Sequence, residues 1–599
     1  ALADSNVPTA PPATGISEHR PAPQKVLRYA FPIAESGFDP AQISDVYSRI
    51  LAGNVFEAPL TYDYLARPVK LKAATAEGLP EVSADFRSFT FRIKPGIYFA
   101  DDPAFKGSKR ELVAEDYVYS VKRHYDPRWK SPNLYNFENA KILGLSELRA
   151  TALAGRPFDY DTRVEGLHTQ GRYTFVVKVA ESQPRLAYAF ADAGVIGAVA
   201  REVIEADPDK AMEHPVGTGP FRLAAWRRSS LIAFERNPGY REVLYDAEPP
   251  EGDALSQAIA ARLRGKRLPL VDRVEVQIVE ESQPRLLAFL NTQHDWIERL
   301  PPELSPPYIP NGQLAPHLRK HGIQLEQVPA VDVSFTYFAM ESPVVGGYTP
   351  DKVALRRAIG LAYDGQAEIM RARKGQGVPA QSIVPPQMAG YDPAFKSEMS
   401  DHDLARARAL LDLYGYVDRD GDGWREQPDG SPLTIECASA PDQYYRLLQE
   451  LWQQSMNALG VRIVFKIGKW PELLKASRAG KLMMWFLAWS ATAPDASDLL
   501  GLMYGPNKGQ SNHARFDLPA YNELFRRQAM LADGPERDAL IQEAKKIGIA
   551  YMPYKISNHR LLADLMHPWM IGYRRHPYLR GWWQYVDIDT AAQGHRNKP

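Results

Sequence analysis

The stretch His214-Pro215-Val216-Gly217-Thr218-Gly219-Pro220-Phe221, followed by Phe234-Glu235-Arg236-Asn237-Pro238-Gly239-Tyr240, constrains the fold more than any other part of the chain. Pro215, Gly217, Gly219 and Pro220 cannot sit together inside a helix or a central strand. They make a tight knot, after which Phe221 to Trp226 reads as a strand with a Trp turn. A second strand follows, and Asn237-Pro238-Gly239 closes it with another turn. Gly217-Thr218-Gly219 is not a dinucleotide fingerprint. It lacks the third Gly, and Pro220 would prevent it from opening a cofactor helix.

At 599 residues the chain is longer than one hydrophobic core usually spans, so two or more domains are expected. Lys plus Arg and Asp plus Glu are both 72, which leaves no overall basic excess for nucleic acid. The most apolar run, Leu482 to Trp489, is far below the roughly 18 residues needed to span a bilayer and reads as a buried strand. The chain is therefore not expected to be membrane-inserted. Cys437 is the only cysteine, so no internal disulfide can form; its apolar surroundings predict a buried thiol.

Ala1-Leu2-Ala3-Asp4 looks like the small-residue edge of a cleaved export signal. With no Cys at that edge to carry a lipid, a freely diffusing periplasmic protein is expected. Residues 1–23, rich in Pro, Ala and Ser, read as a flexible leader.

Val26 to Phe31 reads as a strand and Ile43 to Asn54 as a helix. From Ser88 to Phe99, Phe89, Phe91 and Ile93 alternate with polar residues, the period of a half-buried strand, and Lys94-Pro95-Gly96 is a turn. A helix is expected from Glu111 to about His124, acidic at its start and basic at its end. Glu181-Ser-Gln-Pro-Arg-Leu186 recurs word for word at 281–286, each time after a strand-like run. Ser before Pro predicts a helix start in both copies, a shared strand-to-helix punctuation. A Pro-rich loop at 301–316 precedes a hinge, and the second half starts near Ala330-Val331. Helices fit 352–361, 403–414, 444–459, 471–479 and 518–532, with strands between them, so α/β lobes are the expected class.

The chain contains no nucleophile elbow, Walker A loop, H-E-x-x-H or C-x-x-C, and its His residues lack metal-ligand spacing. No enzyme chemistry is expected. Asp418, Asp420, Asp422 and Asp429 stand at positions 1, 3, 5 and 12 of a calcium-like loop. Position 12 is a short Asp, and Gly430-Ser431-Pro432 replaces the following helix, so the loop reads as a solvated Asp/Gly turn without metal. No cofactor is expected. Some of the 30 Tyr, 22 Phe and 11 Trp should line a cleft with flat aromatic walls.

The knot and hairpin resemble the "NPVGTGPY … ERNPxY" block of extracellular solute-binding proteins of family 5, the peptide/nickel class. Asn54-Val-Phe-Glu57 with Leu60, Phe89 to Phe99 with 113–118, and Arg356-Arg357-Ala358-Ile359 with Tyr363-Asp364 resemble further ordered blocks of that family. The resemblance covers roughly residues 25 to 590. It implies the two-lobed periplasmic binding protein fold (class II, cluster C) with an extra subdomain inserted in lobe one. Mapped here, lobe one is 24–60, 215–329 and 566–599, the inserted subdomain 61–214, and lobe two 330–565. It also implies a monomer that closes on an oligopeptide or peptide-like solute and delivers it to the permease subunits of an ABC importer.

Peptide-binding members carry an Asp three residues after a lobe-two Trp, and it pairs with the peptide amine. The matching run here is Trp489-Ser490-Ala491-Thr492, with a hydroxyl in place of the acid. Asp495 or Asp498, from the next turn, is available to substitute. Phe486 stands where one member has an Arg, which leaves Arg478 as the nearest cation for an anionic group. Ser44, Asp45 and Val46 match a loop that meets the ligand backbone. Tyr135 lies near a ligand-contacting Tyr, and Phe335 and Tyr337 could face the cleft at the hinge. The lost Asp keeps an alternative open: a non-peptide solute such as an opine, an oligosaccharide, or a metal or haem complex. A sensing role on the same fold is a further alternative.

Overall fold

The computed structural model describes residues 22–594, so the leader read at 1–23 lies outside it except for its last two residues. Three sheets matter for the site. The first carries Val26–Phe31, Arg273–Ile278, Leu231–Arg236 and Phe221–Arg227 in that spatial order. Val26–Phe31 runs parallel to its neighbour and the other pairs are antiparallel. Leu27, Tyr29, Phe31, Val274, Val276, Ile232 and Phe234 supply its buried face.

The second sheet is Glu81–Val82, Ser88–Arg92, Thr174–Lys178 and Leu167–Thr169. Phe89, Phe91 and Ile93 are buried, as their alternation predicts. The strand ends at Arg92, just before the expected Lys94-Pro95-Gly96 turn, with Gly96 at φ 85°. The helix expected from Glu111 begins at Ala114. Asp116 folds back to accept the Val113 N–H at 2.8 Å, and Glu111 instead accepts from Gly96 N at 2.7 Å.

The third sheet has eight strands. Its spine runs Trp296–Ile297, Tyr554–Met566, Asp332–Phe338, Met484–Ser490, Thr434–Ser439, Arg462–Ile467. Cys437 is fully buried within it. Tyr554–Met566 pairs with Asp332–Phe338 over its first residues, then with Gln324–Pro329 from Leu561 onward. The long strand thus changes partner around His559–Leu561. The chain passes between the same two partners at Ala330-Val331, where the sequence reading starts the second half. The Asp332 carboxylate, 1% exposed, accepts from Arg560 Nε at 2.6 Å across this crossing.

Local chemistry positions the helix that faces the cleft. Asp45 caps Val46–Val55 by accepting the Ser48 N–H at 2.8 Å, so the helix starts at Val46 rather than Ile43. Its far end meets the Gly/Pro knot. A Cβ on Gly217 would lie 2.1 Å from the Val55 carbonyl, and on Gly219 2.6 Å. Gly219 N donates to that carbonyl at 2.8 Å. Thr218 and Arg241 both bind Glu57, just beyond the helix. The knot therefore requires glycine because backbone clamps backbone there.

The repeated hexapeptide behaves differently in its two copies. The second opens the helix Ser282–Leu290 as expected, and Arg285 donates to the nearby Val279 and Glu280 carbonyls. The first is followed only by a short 3-10 turn at Leu186–Phe190. Its Arg185 reaches across to the other wall of the cleft.

Candidate functional site

A cleft of about 450 Å³ lies between the two sides of the molecule. That is within the usual range of roughly 300–1,000 Å³ for small-molecule sites. One wall comes from Arg49, Tyr135, Phe137, Arg185, Tyr188, Phe190 and Asp192. The facing wall comes from Thr492, Ala493, Asp495, Ser497, Asp498 and Ala529. The first wall mixes aromatic rings with Arg49, Arg185 and Asp192, and the facing side is a polar turn.

Arg185 ties the walls together. It donates to the carbonyls of Gln528, Ala529 and Leu531 at 3.2, 2.9 and 3.0 Å, and lies 3.5 Å from Asp495 and 3.4 Å from Asp533. Gln528 and Ala529 end the helix Pro519–Ala529, where free carbonyls and the helix dipole favour a cation. Ser182 Oγ donates to Met530 O at 2.9 Å beside it. The two walls are therefore in contact, and the cleft is closed on this side.

On the polar wall, Asp495 and Asp498 have different partners. Asp495 receives both Arg537 nitrogens at 2.7 Å. Burial alone would raise its pKa, but Arg537 and Arg185 outweigh that and hold it low. Asp495 is fully engaged by protein. Asp498 is half-buried and, among the described residues, has no cation within ion-pair distance. It accepts the Thr492 N–H at 2.5 Å and the Thr492 hydroxyl at 3.3 Å. Burial pushes its carboxyl above the usual 3.8, only partly offset by those hydrogen bonds.

The other residues singled out by sequence are dispersed. Tyr135 is 59% exposed and lines the cleft, as do Thr492 and Asp495. Val46 lines a smaller neighbouring cavity, while Asp45 is occupied as the helix cap and by the Ser36 hydroxyl at 2.6 Å. Ser44 and Ser490 are exposed, and Ser490 pairs with Asp332 in the sheet. Trp489 is half-buried against His513 at 5.7 Å. Tyr337 is 1% exposed, its hydroxyl 2.8 Å from Ser477 Oγ, which bonds on to His513; this ring belongs to the core. Phe335 is buried edge-on to Tyr554 and borders a separate cavity of about 70 Å³ with Arg373, Tyr444 and Phe486. Arg478 is exposed at the end of its helix and lines none of these cavities.

In the Asp/Gly loop, Asp418, Asp420 and Asp422 gather with Glu426, all ligand atoms within 4.8 Å of one another. Asp429 is not part of that group and binds Ser431 instead. The first three carboxylates already accept backbone N–H groups of Gly421, Gly423, Asp422 and Trp424, and Arg462 adds a charge to Asp422. Those hydrogen bonds are what the turn itself requires.

Arg49, Arg185, Tyr188 and Asp192 were not singled out by sequence. Arg49 stands one turn after the Asp45 cap, and Arg185 lies within the repeated hexapeptide; both were visible as positions but not as cleft residues. Nothing in the sequence showed that the two copies of the hexapeptide would diverge.

Comparisons with known proteins agree with this architecture. A family model described as bacterial extracellular solute-binding proteins, family 5 Middle, matches residues 70–511. Di/tripeptide-binding protein 2 of Pseudomonas aeruginosa (strain UCBPP-PA14) is 27% identical over 574 residues, which cover 93% of each chain. The structure of HbpA2 from Haemophilus parasuis superposes with a TM-score of 0.73 at 17% identity, covering 95% of this chain and 100% of that one. The periplasmic binding protein DppA from Helicobacter pylori, in complex with the peptide STSA, gives 0.66 at 18% identity, covering 94% and 98%. The shared fold is two-lobed, and no helix among the described residues is long and apolar enough to cross a membrane.

Proposed function

The chain belongs to the bacterial extracellular solute-binding proteins of family 5, and from that premise we propose that it captures short peptides by closing two lobes on them and presents the closed form to an ABC importer in the periplasm. The family is one of binding proteins rather than enzymes. The observation that carries the peptide reading is Asp498. A carboxylate held in a closed cleft by hydroxyl and backbone donors, without a cation, is arranged to receive an ammonium group. The similarity to a di/tripeptide-binding protein supports the same ligand class.

Thr492 then acts as the holder of the acid. The site consists of Asp498 with Thr492, walled by Tyr135, Phe137 and Tyr188. Asp495 belongs to the closure apparatus with Arg185 and Arg537. For closure, the lobes are 24–60, 215–329 and the C-terminal segment on one side, with 61–214 inserted, and about 330–560 on the other. The change of partner along Tyr554–Met566 supports a second crossing near Arg560 rather than at 565/566. A ligand that contacts both walls binds the closed form better and so shifts the population toward it.

Calorimetric titration with a mixed dipeptide library tests the reading. Saturable binding that disappears when the library is N-acetylated is expected. Equal binding of free and acetylated libraries, or no binding of either, would overturn it.

A further inference from the structure

Beside the cleft, Arg580 carries a charge that its neighbours do not balance. It borders two smaller cavities, of about 170 and about 40 Å³. Among the described residues, nothing accepts a hydrogen bond from its guanidinium and no carboxylate lies within ion-pair distance. A guanidinium presents five donors in a fixed fork; Arg580 is half-buried, and its nitrogens keep accessible surface rather than protein acceptors.

The backbone holds Arg580 in place. A Cβ on Gly581 would lie 2.2 Å from the Gly53 carbonyl, so residue 581 packs directly on the helix Val46–Val55. Trp583 then anchors the segment, its indole N–H donating to Tyr29 at 2.9 Å and its ring packing against Phe221 and Phe234.

Two more cations lie close by, Arg49 on the wall of the main cleft and Arg299 on the second cavity. Arg49 lies on the same helix. One of its nitrogens binds Asn133 at 2.7 Å, while its Nε is buried with no acceptor. Arg299 borders the second cavity and a third, of about 70 Å³; its side chain has no ion-pair partner among the described residues. The acids nearby are only partly engaged: Glu298, which lines the second and third cavities, keeps one buried oxygen without a hydrogen-bond partner. Arg575 holds Asp564 at 2.7 Å and Glu298 at 3.5 Å. Asp192 caps its own helix and lies 4.0 Å from Arg49. Burial lowers the Arg580 pKa; Asp192 opposes this, and Arg49, Arg299 and Arg575 add to it. The first cavity adjoins the main cleft, since Asp192 lines both.

We propose that Arg580, assisted by Arg49 and Arg299, is an anion subsite that receives a carboxylate of the bound solute. The planar fork suits two carboxylate oxygens, and an arriving anion would supply the partner that the fold withholds. Assigning that carboxylate to a peptide C-terminus rests on the peptide reading above, whereas the subsite itself does not.

The test compares a mixed dipeptide library with free C-termini, the same library C-terminally amidated, and succinate as a simple dicarboxylate. Each is titrated into the wild-type protein and into Arg580→Met, which keeps the apolar stem. In the wild type, amidation is expected to weaken binding at least tenfold. In Arg580→Met that penalty should fall below threefold, while the ligand-free variant melts no lower than the wild type, because an unpaired charge has been removed. If neither library binds, Arg580-dependent binding of succinate upholds the subsite and sinks only the peptide assignment. The proposal is overturned if the variant keeps the wild-type preference for the free acid, or if no probe binds in an Arg580-dependent way. A fall in the melting temperature of the ligand-free variant would also count against it, since it would mark Arg580 as a structural residue.

Discussion

Thr492 donates both its backbone N–H, at 2.5 Å, and its hydroxyl, at 3.3 Å, to the same oxygen of Asp498. Position 492 therefore orients an acid that stands six residues further along. The turn between them is fixed by Asp495, whose two oxygens are taken by Arg537. A single short segment thus carries one carboxylate committed to the fold and another left open to the cleft.

Replacing Asp498 with Asn should separate binding from stability. Affinity for free-amine dipeptides should fall at least tenfold, since a hydrogen bond to a charged group is worth roughly 1.5–3 kcal/mol. The ligand-free variant should be as stable as the wild type or more so, because a half-buried carboxylate without a counter-charge is gone. Calorimetry and thermal unfolding read the two effects independently; unchanged affinity would remove Asp498 from the site.

Binding should weaken with acid earlier than an exposed Asp would allow. Burial raises the folded pKa of Asp498 above 3.8, so the carboxylate needed for an ammonium is lost as pH falls through that raised value. The same shift means that protonation relieves a cost in the empty protein rather than removing a stabilising contact. Dipeptide affinity measured from pH 7 downward should show this limb in the wild type and lose it in Asp498→Asn. A limb at the same pH in both would assign the titration to another group.

Arg185→Ala should shift the balance toward the open form. The side chain links one wall to the carbonyl end of the helix Pro519–Ala529. Its loss should raise ligand dissociation rates and weaken affinity by roughly tenfold or more, given the strength of charge-assisted hydrogen bonds. Small-angle scattering at saturating ligand should give a larger radius of gyration than for the wild type. Identical compaction and affinity would show that the contact does not control closure.

Arg123 and Asp39, each 1% exposed by side chain, form a bidentate pair at 2.6 and 2.7 Å. Arg123→Met strands a buried carboxylate and should cost about 3–5 kcal/mol, while Arg123→Met with Asp39→Asn should recover most of it. Burial would raise the Asp39 pKa, but Arg123 outweighs it and the folded value lies below 3.8. The pair's contribution is therefore present above the unfolded value and lost as pH falls through the folded one. Chemical denaturation at pH 7 and pH 3 checks both statements; equal losses in the single and double variants would contradict them.

The sequence made legible what local rules determine. Alternation located Phe89, Phe91 and Ile93 on a buried face, and the knot at Gly217–Gly219 had the chemistry of a close approach. The helix Pro535–Tyr551 was missed because buried Arg537 and Lys545 interrupt its apolar stripe. Their partners, Asp495 and the Gly390 carbonyl, lie far away in sequence. The site suffers from the same non-locality. Tyr337 alternates correctly for a strand, but whether its face meets the cleft or the core depends on His513 and Ser477. Arg185 and Arg285 sit in identical hexapeptides, and only tertiary placement gives one a partner across the cleft.

The measurement that bears most directly on the account is native mass spectrometry of the protein unfolded, refolded and exposed to a pool of short peptides mixed with sugars, opines and metal chelates. A ladder of peptide masses bound one per chain, diminished in Asp498→Asn, is the predicted result. A single non-peptide adduct, retained in that variant, would contradict it.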